Sequence, residues 1–274
     1  MSQTFELVVK PRKGWQPLDF HEIWLYRELL GFLVWRDVKV RYKQTVLGGL
    51  WALLQPLAAM LIFTLFFNRL AGIQSNGPPY PLFAYAGVTA WTFFSNAVSA
   101  SSNSLIGNQQ LISKVYFPRI FVPMGAIGAL LLDMLISLVL MFALLLYYRW
   151  PASLLLLELP VFMLGSFLAA SGFGLILSAM NVRFRDVKYA VPFAVQMGFF
   201  VTPVIYPLNY IPARYRLAMS LNPMTGMVEG FRHSLLGTAA QWNVMGLSLA
   251  VSVLIFVTGL YTFRRMERLF ADII

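Results

Sequence analysis

The sequence contains no cysteine, only two histidines and few charged residues. Charged side chains make up 12% of its 274 residues, about half the fraction found in soluble domains. Without thiols the chain cannot build a disulfide framework, a thiolate metal site or a cysteine nucleophile, and His21 and His233 leave little for imidazole chemistry. A chain that is 59% hydrophobic and so poor in charge is not an ordinary soluble globule.

Several catalytic signatures are missing as well. The sequence has no Gly-Lys dipeptide, and therefore no phosphate-binding loop of the nucleotidase type. The HEIWL segment at 21–25 begins like a zinc-binding helix, but Leu25 stands where the second histidine is required. There is no Gly-x-Ser-x-Gly elbow and no close pair of aspartates for a magnesium diphosphate site. We therefore predict no catalytic, cofactor-binding or metal-binding residues, and no enzyme.

Long apolar stretches dominate the sequence, and charged residues separate them. A membrane span needs about 20 apolar residues with few charges. We predict an all-α membrane protein with six transmembrane helices, over 44–68, 82–104, 120–148, 159–182, 190–206 and 244–263. Asp133 interrupts the third stretch, and its carboxyl group either bonds to a neighbouring helix or lines a transport pathway.

The distribution of Lys and Arg predicts the orientation. With both termini inside, 16 of the 21 basic residues fall in cytoplasmic segments and five fall outside. Cytoplasmic segments of membrane proteins retain Lys and Arg, so both termini are expected in the cytoplasm. The formal charge of +10 is then a topology signal, and nucleic acid is not expected as a partner.

The predicted domains are a cytoplasmic N-terminal segment, 1–43, a transmembrane domain, 44–265, and a cytoplasmic tail, 266–274. Within 22–43, apolar residues recur at helical spacing, and tryptophans suit a headgroup layer. We predict an amphipathic interface helix on the inner leaflet, which includes Trp35, Arg36, Asp37 and Arg41. The periodicity is imperfect, and the alternative is a helix that continues directly into the first span.

The connection between the fifth and sixth spans is too apolar for a solvated loop and too short for two more spans. Pro212 and Pro223 suit first helical turns, Asn222 can cap the second helix, and Gly237 can end it. These signals predict two short helices, neither of which crosses a hydrocarbon layer of about 30 Å. We predict a re-entrant extracytoplasmic helical hairpin. The alternative is an amphipathic lid on the outer surface.

The second of these short helices carries two charges on one face. Glu229 and Arg232 lie three residues apart and are therefore neighbours on the helix surface. If the helix enters the membrane, the two charges must face each other, a polar cavity or a second protomer, because an unpaired charge in lipid is costly.

The second span has a polar inner half and an aromatic outer half. Hydroxyl and amide groups beside aromatic faces suit a sugar polymer, which offers hydroxyls for hydrogen bonds and C–H faces for stacking. The candidate substrate pathway comprises Tyr85, Trp91, Phe94, Ser95, Ser99 and Asn103. The alternative is close helix packing by small polar residues, together with an interfacial aromatic belt.

Four segments resemble the signature blocks of a transporter family. They are LVWRDVKVRYKQTVLGGLWALLQP at 33–56, LISKVYFPRIFVP at 111–123, NVRFRDVKYAVPFAVQMGFFVTPVIYP at 181–207 and LNPMTGMVEGFR at 221–232. Their order and spacing are similar to those of the membrane-spanning permease of ABC-2 type exporters. The resemblance covers nearly the whole chain and is closest to the subfamily that exports O-antigen, capsular and teichoic-acid polysaccharides.

The resemblance implies the partners and the cargo. Such permeases form homodimers in the bacterial inner membrane and work with two copies of a cytoplasmic ATP-binding subunit, which uses ATP and Mg²⁺. The cargo would be a polysaccharide linked to a polyprenyl pyrophosphate, and membrane lipid would surround the chain. Alternative functions are export of a drug or lipid within the same family and, in another class, glycan processing by a membrane-bound enzyme.

The resemblance also implies site residues. Segments 111–119 and 181–188 would contact the ATP-binding subunit through Lys114, Arg119, Arg183, Arg185 and Asp186. The hairpin would supply paired helices of an outer gate, whose residues are Pro203, Tyr206, Pro223, Glu229 and Arg232. The basic residues of the first group also lie where a pyrophosphate would enter, and Arg binds phosphate oxygens well. The alternative to pyrophosphate binding is that these residues are positive-inside anchors or contacts with the partner subunit.

Overall fold

A computed structural model describes residues 24–43, 48–75, 77–151, 153–267 and 270, and within these ranges the chain is helical with no β-strand. In this part of the chain, the α-helices are α1 Arg27–Tyr42, α2 Leu50–Phe63, α3 Tyr80–Gly107, α4 Gln109–Lys114, α5 Phe121–Tyr147, α6 Leu159–Arg183, α7 Val187–Val201, α8 Ala213–Met219, α9 Pro223–Leu236 and α10 Trp242–Met266. A π-helical segment, Thr64–Leu70, continues α2, and 3-10 turns precede α6 and α8, at Leu154–Glu158 and Leu208–Tyr210. The all-α class is confirmed. Residues 1–23 of the predicted N-terminal segment and 271–274 of the predicted tail lie outside the described residues.

Four helical segments of the described chain are long and apolar enough to cross a membrane: Leu50–Leu70, Phe121–Tyr147, Leu154–Arg183 and Trp242–Met266. They identify a multi-pass membrane protein. α3 has 28 residues, but its Ser and Asn residues make it more polar than these four. α7 has only 15 residues, because the residue before Pro203 is forced into an extended conformation and the helix ends at Val201.

α3 lies at the centre of the helix bundle. It packs against α5 and α6, α6 packs along α10, and α9 lies against all of α3, α6 and α10. The contact between α6 and α10 depends on two glycines, since a Cβ atom built on Gly259 would lie 2.5 Å from the carbonyl oxygen of Gly172. Small residues of this kind permit close backbone approach between helices in membranes.

α1 runs lengthwise along the first half of α5. Near its middle, Leu33 is buried against Gly125. Near its end, Nη1 of Arg41 lies 2.8 Å from Oδ2 of Asp133. α1 ends at Tyr42 and α2 begins at Leu50; residues 44–47 between them lie outside the described residues, so the alternative of one continuous helix is not tested. Whether α1 lies on the inner leaflet stays a prediction.

The two short helices expected after the fifth span are confirmed. α8 follows Pro212, and α9 begins at Pro223 behind Asn222, whose Oδ1 accepts a hydrogen bond from the backbone N–H of Met224 at 3.0 Å. Gly237 ends α9 with a left-handed φ of 67°. All of α9 is buried, whereas most of α8 is exposed. α9 is therefore part of the core of the bundle.

Candidate functional site

A polar stripe runs along α3 inside an otherwise apolar bundle. Its members recur at helical spacing and are partly or fully exposed: Thr92, Ser95, Asn96, Ser99 and Asn103. The neighbouring positions of the same helix are buried. Because polar side chains within a membrane protein face its interior or a water-filled path rather than lipid, this stripe marks one wall of a candidate pathway.

Three members of the stripe, Ser95, Asn96 and Ser99, form the floor of a groove between α2, α3 and α7, with a volume of about 470 Å³. The ring of Phe199 stacks with Phe63 at a centroid distance of 5.6 Å and meets Trp91 edge-on at 5.9 Å. Rings and polar groups alternate in the lining, which comprises Phe63, Phe67, Trp91, Ser95, Asn96, Ser99, Pro192, Val195, Gln196, Phe199 and Phe200. Such a surface can donate and accept hydrogen bonds and can also stack on C–H faces.

The structure brings four of the six predicted pathway residues to the stripe or its groove: Trp91, Ser95, Ser99 and Asn103. Phe94 lies instead on an adjoining apolar cavity between α3, α6 and α7. Tyr85 does not reach the groove, because α5 covers that end of α3. Its ring is fully buried, and its hydroxyl group donates to the carbonyl oxygen of Ser137 at 3.0 Å.

Sequence reasoning missed several lining residues. Gln196 is the only amide side chain in the apolar stretch 190–206, and this isolation could have identified it. Asn96 belongs to the Ser/Asn-rich half of the second span. The sequence alone does not distinguish it from neighbouring polar residues that pack between helices; its position on the exposed face of α3 does. Phe63 and Phe67 lie one turn apart on α2 and its continuation, and only the fold shows that they face α3.

Arg232 is a fully buried cation close to the start of α3. Its Nη2 donates to the carbonyl oxygen of Val204 at 2.6 Å, and its Nη1 donates to that of Pro203 at 2.7 Å. Nη1 also lies 2.8 Å from Oε1 of Glu229, and the guanidinium carbon is 3.5 Å from the ring centroid of Phe83. Nε also donates to the carbonyl oxygen of Phe83 at 3.4 Å, so the charge has a counter-ion, three backbone acceptors and an aromatic face.

These contacts confirm that the two charges on α9 face each other in a buried position. Among the other predicted gate residues, Pro223 is the first residue of α9, and the Tyr206 hydroxyl group donates to the carbonyl oxygen of Phe200 at 3.3 Å. Arg232 therefore joins α9 to the bent segment 202–207, which follows α7. A gating role for these residues stays a prediction.

Asp133 finds its partners on the neighbouring helix α1. Arg41 forms the ion pair described above, and the hydroxyl group of Tyr42 donates to the other carboxylate oxygen, Oδ1. This arrangement agrees with the first of the two alternatives for this carboxyl group. The remaining predicted interface residues stay partly or fully exposed along α1: Trp35, Arg36 and Asp37.

The residues predicted to contact an ATP-binding subunit lie in two segments at one end of the bundle. Nδ2 of Asn181, near the end of α6, donates to the carbonyl oxygen of Ser102, near the end of α3, at 2.9 Å. The segments that follow these helices are therefore neighbours. The partly or fully exposed cations and carboxylate on them are Lys114, Arg119, Arg183, Arg185 and Asp186. Their contact with a partner is untested.

Another acidic residue, Glu158, approaches a histidine. Its Oε2 lies 3.4 Å from Nε2 of His233, whose Nδ1 is 2.6 Å from the carbonyl oxygen of Thr238. No third ligand joins them, and within the described ranges no group of three His, Cys, Asp or Glu residues is placed to hold a metal ion.

Comparison with known proteins identifies similar chains. Residues 28–236 match the family described as ABC-2 type transporter. The O-antigen export system permease protein RfbA of Myxococcus xanthus is 34% identical over 214 residues, which cover 77% of this chain and 81% of the relative. The protein of the same name from Klebsiella pneumoniae is 28% identical over 248 residues, covering 90% and 95%. The polysialic acid transport protein KpsM of Escherichia coli is 26% identical over 240 residues, covering 85% and 91%.

Proposed function

The chain belongs to the ABC-2 type transporter family, and we propose that it is the membrane-spanning permease of an ATP-driven exporter of O-antigen or capsule-type polysaccharide. Relatives named for O-antigen export or polysialic acid transport align with most of its length. The observation that carries the proposal is the groove on α3, where hydroxyl and amide groups lie between aromatic rings. This lining suits a sugar chain better than it suits an apolar drug or lipid.

The proposed topology has six membrane spans. α3 is long enough for a span, since 28 residues extend about 42 Å at 1.5 Å per residue. α7 and the bent segment after it would form the fifth span, with α8 and α9 as a re-entrant hairpin. The complete burial of α9 supports this position, because a non-spanning helix at membrane depth must be surrounded by protein or water.

The basic residues support the proposed orientation and location. With both termini in the cytoplasm of a bacterial cell, most Lys and Arg side chains lie on the cytoplasmic face of the inner membrane. The exposed cations at the ends of α4 and α6 would then lie where a cytoplasmic ATP-binding subunit docks. That subunit, in two copies, would bind ATP and Mg²⁺, and the polysaccharide would arrive on a polyprenyl pyrophosphate.

A second copy of the chain is part of the proposal. Gln196 and Phe200 line the groove but remain exposed in the single chain, so one side of the groove lacks a wall. A two-fold related copy would supply that wall from the same surface, which is the commonest form of symmetric assembly. The pathway would then run between the two protomers.

The experiment that tests the function is deletion and complementation in the native cell. Loss of the chain should abolish cell-surface polysaccharide and leave lipid-linked polymer inside, and expression of the chain should restore export. A tagged chain should co-purify with a cytoplasmic ATP-binding subunit, and the chain alone should not hydrolyse ATP. Unchanged surface polysaccharide after deletion would exclude the proposed cargo, and robust hydrolysis by the chain alone would exclude the division into two subunits.

A further inference from the structure

A second polar cavity lies where α1, α2, α3 and α5 meet, with a volume of about 240 Å³. Its polar lining combines one ion pair with hydroxyl and amide groups: Arg41, Tyr42, Gln55, Thr89, Thr92, Asn96, Asp133 and Ser137. Trp51 and Phe93 add aromatic surface. Because Asn96 lines both this cavity and the groove on α3, the two spaces adjoin.

The charges in the cavity balance each other. Arg41 and Asp133 form an ion pair with a distance of 2.8 Å, and Tyr42 donates to the same carboxylate. A phosphate group would meet this carboxylate and gain little from a cation that is already neutralised. A carboxylate has about four lone-pair sites, so acceptor capacity remains for the hydroxyl groups of a ligand. The electrostatics therefore favour a neutral, hydroxyl-rich ligand.

One buried hydroxyl group in the cavity wall lacks a well-formed hydrogen bond. Thr89 is only 2% exposed, and its Oγ1 forms no hydrogen bond of normal geometry with the described residues, although the hydroxyl group of Tyr85 lies close to it. Buried polar groups in proteins are normally hydrogen-bonded. Because this oxygen is itself inaccessible, a ligand hydroxyl group in the cavity would reach it only after rotation of the Thr89 side chain about χ1.

We propose that this cavity is a subsite for one neutral sugar unit of the exported polymer, an inference that rests on the proposed function. A volume of about 240 Å³ is large enough to admit a sugar ring. Trp51 offers a stacking face, and Asp133 and Asn96 offer an acceptor and an amide for ring hydroxyls. Because Asn96 borders both the groove and the cavity, a polymer that lies in the groove can insert one sugar unit beside Asn96 into the cavity.

The natural absence of cysteine makes the test direct. Thr92→Cys introduces a single thiol into the cavity, and Ser95→Cys introduces one into the groove, one turn further along α3. Each full-length variant is purified into lipid nanodiscs without sugar-headed detergent and labelled with a membrane-impermeant methanethiosulfonate. Labelling rates are measured by mass spectrometry with D-glucose, D-galactose, D-mannose or N-acetyl-D-glucosamine, or with inorganic phosphate as the anionic control.

At least one sugar is expected to slow the labelling of the Thr92→Cys variant by about tenfold at ten times its Kd, and to slow the labelling of the Ser95→Cys variant, in the open groove, by a smaller factor. Adding Asp133→Asn to Thr92→Cys should remove the protection. Gln55→Cys, at the mouth of the same cavity, is the reporter if Thr92→Cys does not fold.

Three outcomes would overturn the inference. Protection by phosphate alone would make the cavity an anion site. Equal protection of the Thr92→Cys and Ser95→Cys variants would place the sugar in the open groove. If none of the four sugars protects the Thr92→Cys thiol from labelling, the cavity is not a sugar subsite. If surface polysaccharide in cells still depends on the chain in these cases, the inference fails and the proposed function stands.

Discussion

The guanidinium group of Arg232 lies 2.8 Å from the carboxylate of Glu229, one turn earlier on α9, and both side chains are buried. The same guanidinium group donates to the carbonyl oxygens of Pro203 and Val204, which lie beyond the end of α7. These carbonyl groups need a donor from elsewhere because the bent segment does not continue the helix. Arg232 therefore connects α9 to the segment after α7, both of which belong to the predicted gate, and Glu229 compensates its buried charge.

Removing Glu229 is expected to destabilise the chain by about 3–5 kcal/mol, because Arg232 would remain buried without its counter-charge. Arg232→Ala should also be destabilising, since two carbonyl oxygens lose their donor. The double variant should cost less than the sum of the single variants, with a coupling of about 0.5–3 kcal/mol. Denaturant unfolding of the purified chain measures all three. Glu229→Gln keeps an oxygen acceptor and should be milder than Glu229→Ala; strictly additive losses would contradict a coupled pair.

The contact between α6 and α10 gives a second prediction. In Gly259→Ala, the new Cβ atom would lie 2.5 Å from the carbonyl oxygen of Gly172, so the helices must separate, at a cost of about 1–3 kcal/mol. Gly246→Ala is the matched control on the same helix, because no described atom lies within 4 Å of a Cβ atom built there. It should be neutral or stabilise the chain by up to about 1 kcal/mol. Equal thermal stability of both variants would contradict the close packing.

Helix α9 shows which features a sequence can predict. Its helix boundaries depend on the chemistry of a few neighbouring residues, namely the capping side chain of Asn222, the fixed φ of Pro223 and the left-handed φ of Gly237. The cost of burying either charge of α9 alone limited the possible partners to the other charge, a polar cavity or a second protomer, and the structure shows the first of these. None of these arguments requires knowledge of which helix lies next to which.

Other features depend on tertiary contacts and could not be read from the sequence. As an aromatic residue of the second span, Tyr85 was expected to line the pathway, but α5 covers its side chain. Arginine at a membrane surface is typical of an anchor to lipid headgroups, but α1 runs along α5 and brings Arg41 to Asp133 instead. The early end of α7 is different, since Pro203 was visible in the sequence and disfavours helix at the residue before it.

Reporter fusions test the proposed orientation. A fusion after Arg185 and a fusion after Ala213 are expected on opposite sides of the membrane, because α7 and the bent segment after it lie between the two positions. A cytoplasmic fluorescent reporter should be active only at the first position, and an exported phosphatase only at the second. Activity of the same reporter at both positions would contradict a fifth span between them.

The groove on α3 gives the last prediction. Ser99 is half-exposed in the groove, so Ser99→Leu should leave the folding stability within about 0.5 kcal/mol of the original chain. It replaces a hydroxyl group by apolar bulk, and we expect cell-surface polysaccharide to fall severalfold while membrane levels of the chain stay constant. Ser99→Thr keeps the hydroxyl group and should retain export. Thr258→Leu, on an exposed face of α10, is the control for added apolar bulk outside the groove. Full export by Ser99→Leu would show that the sugar chain does not pass this position.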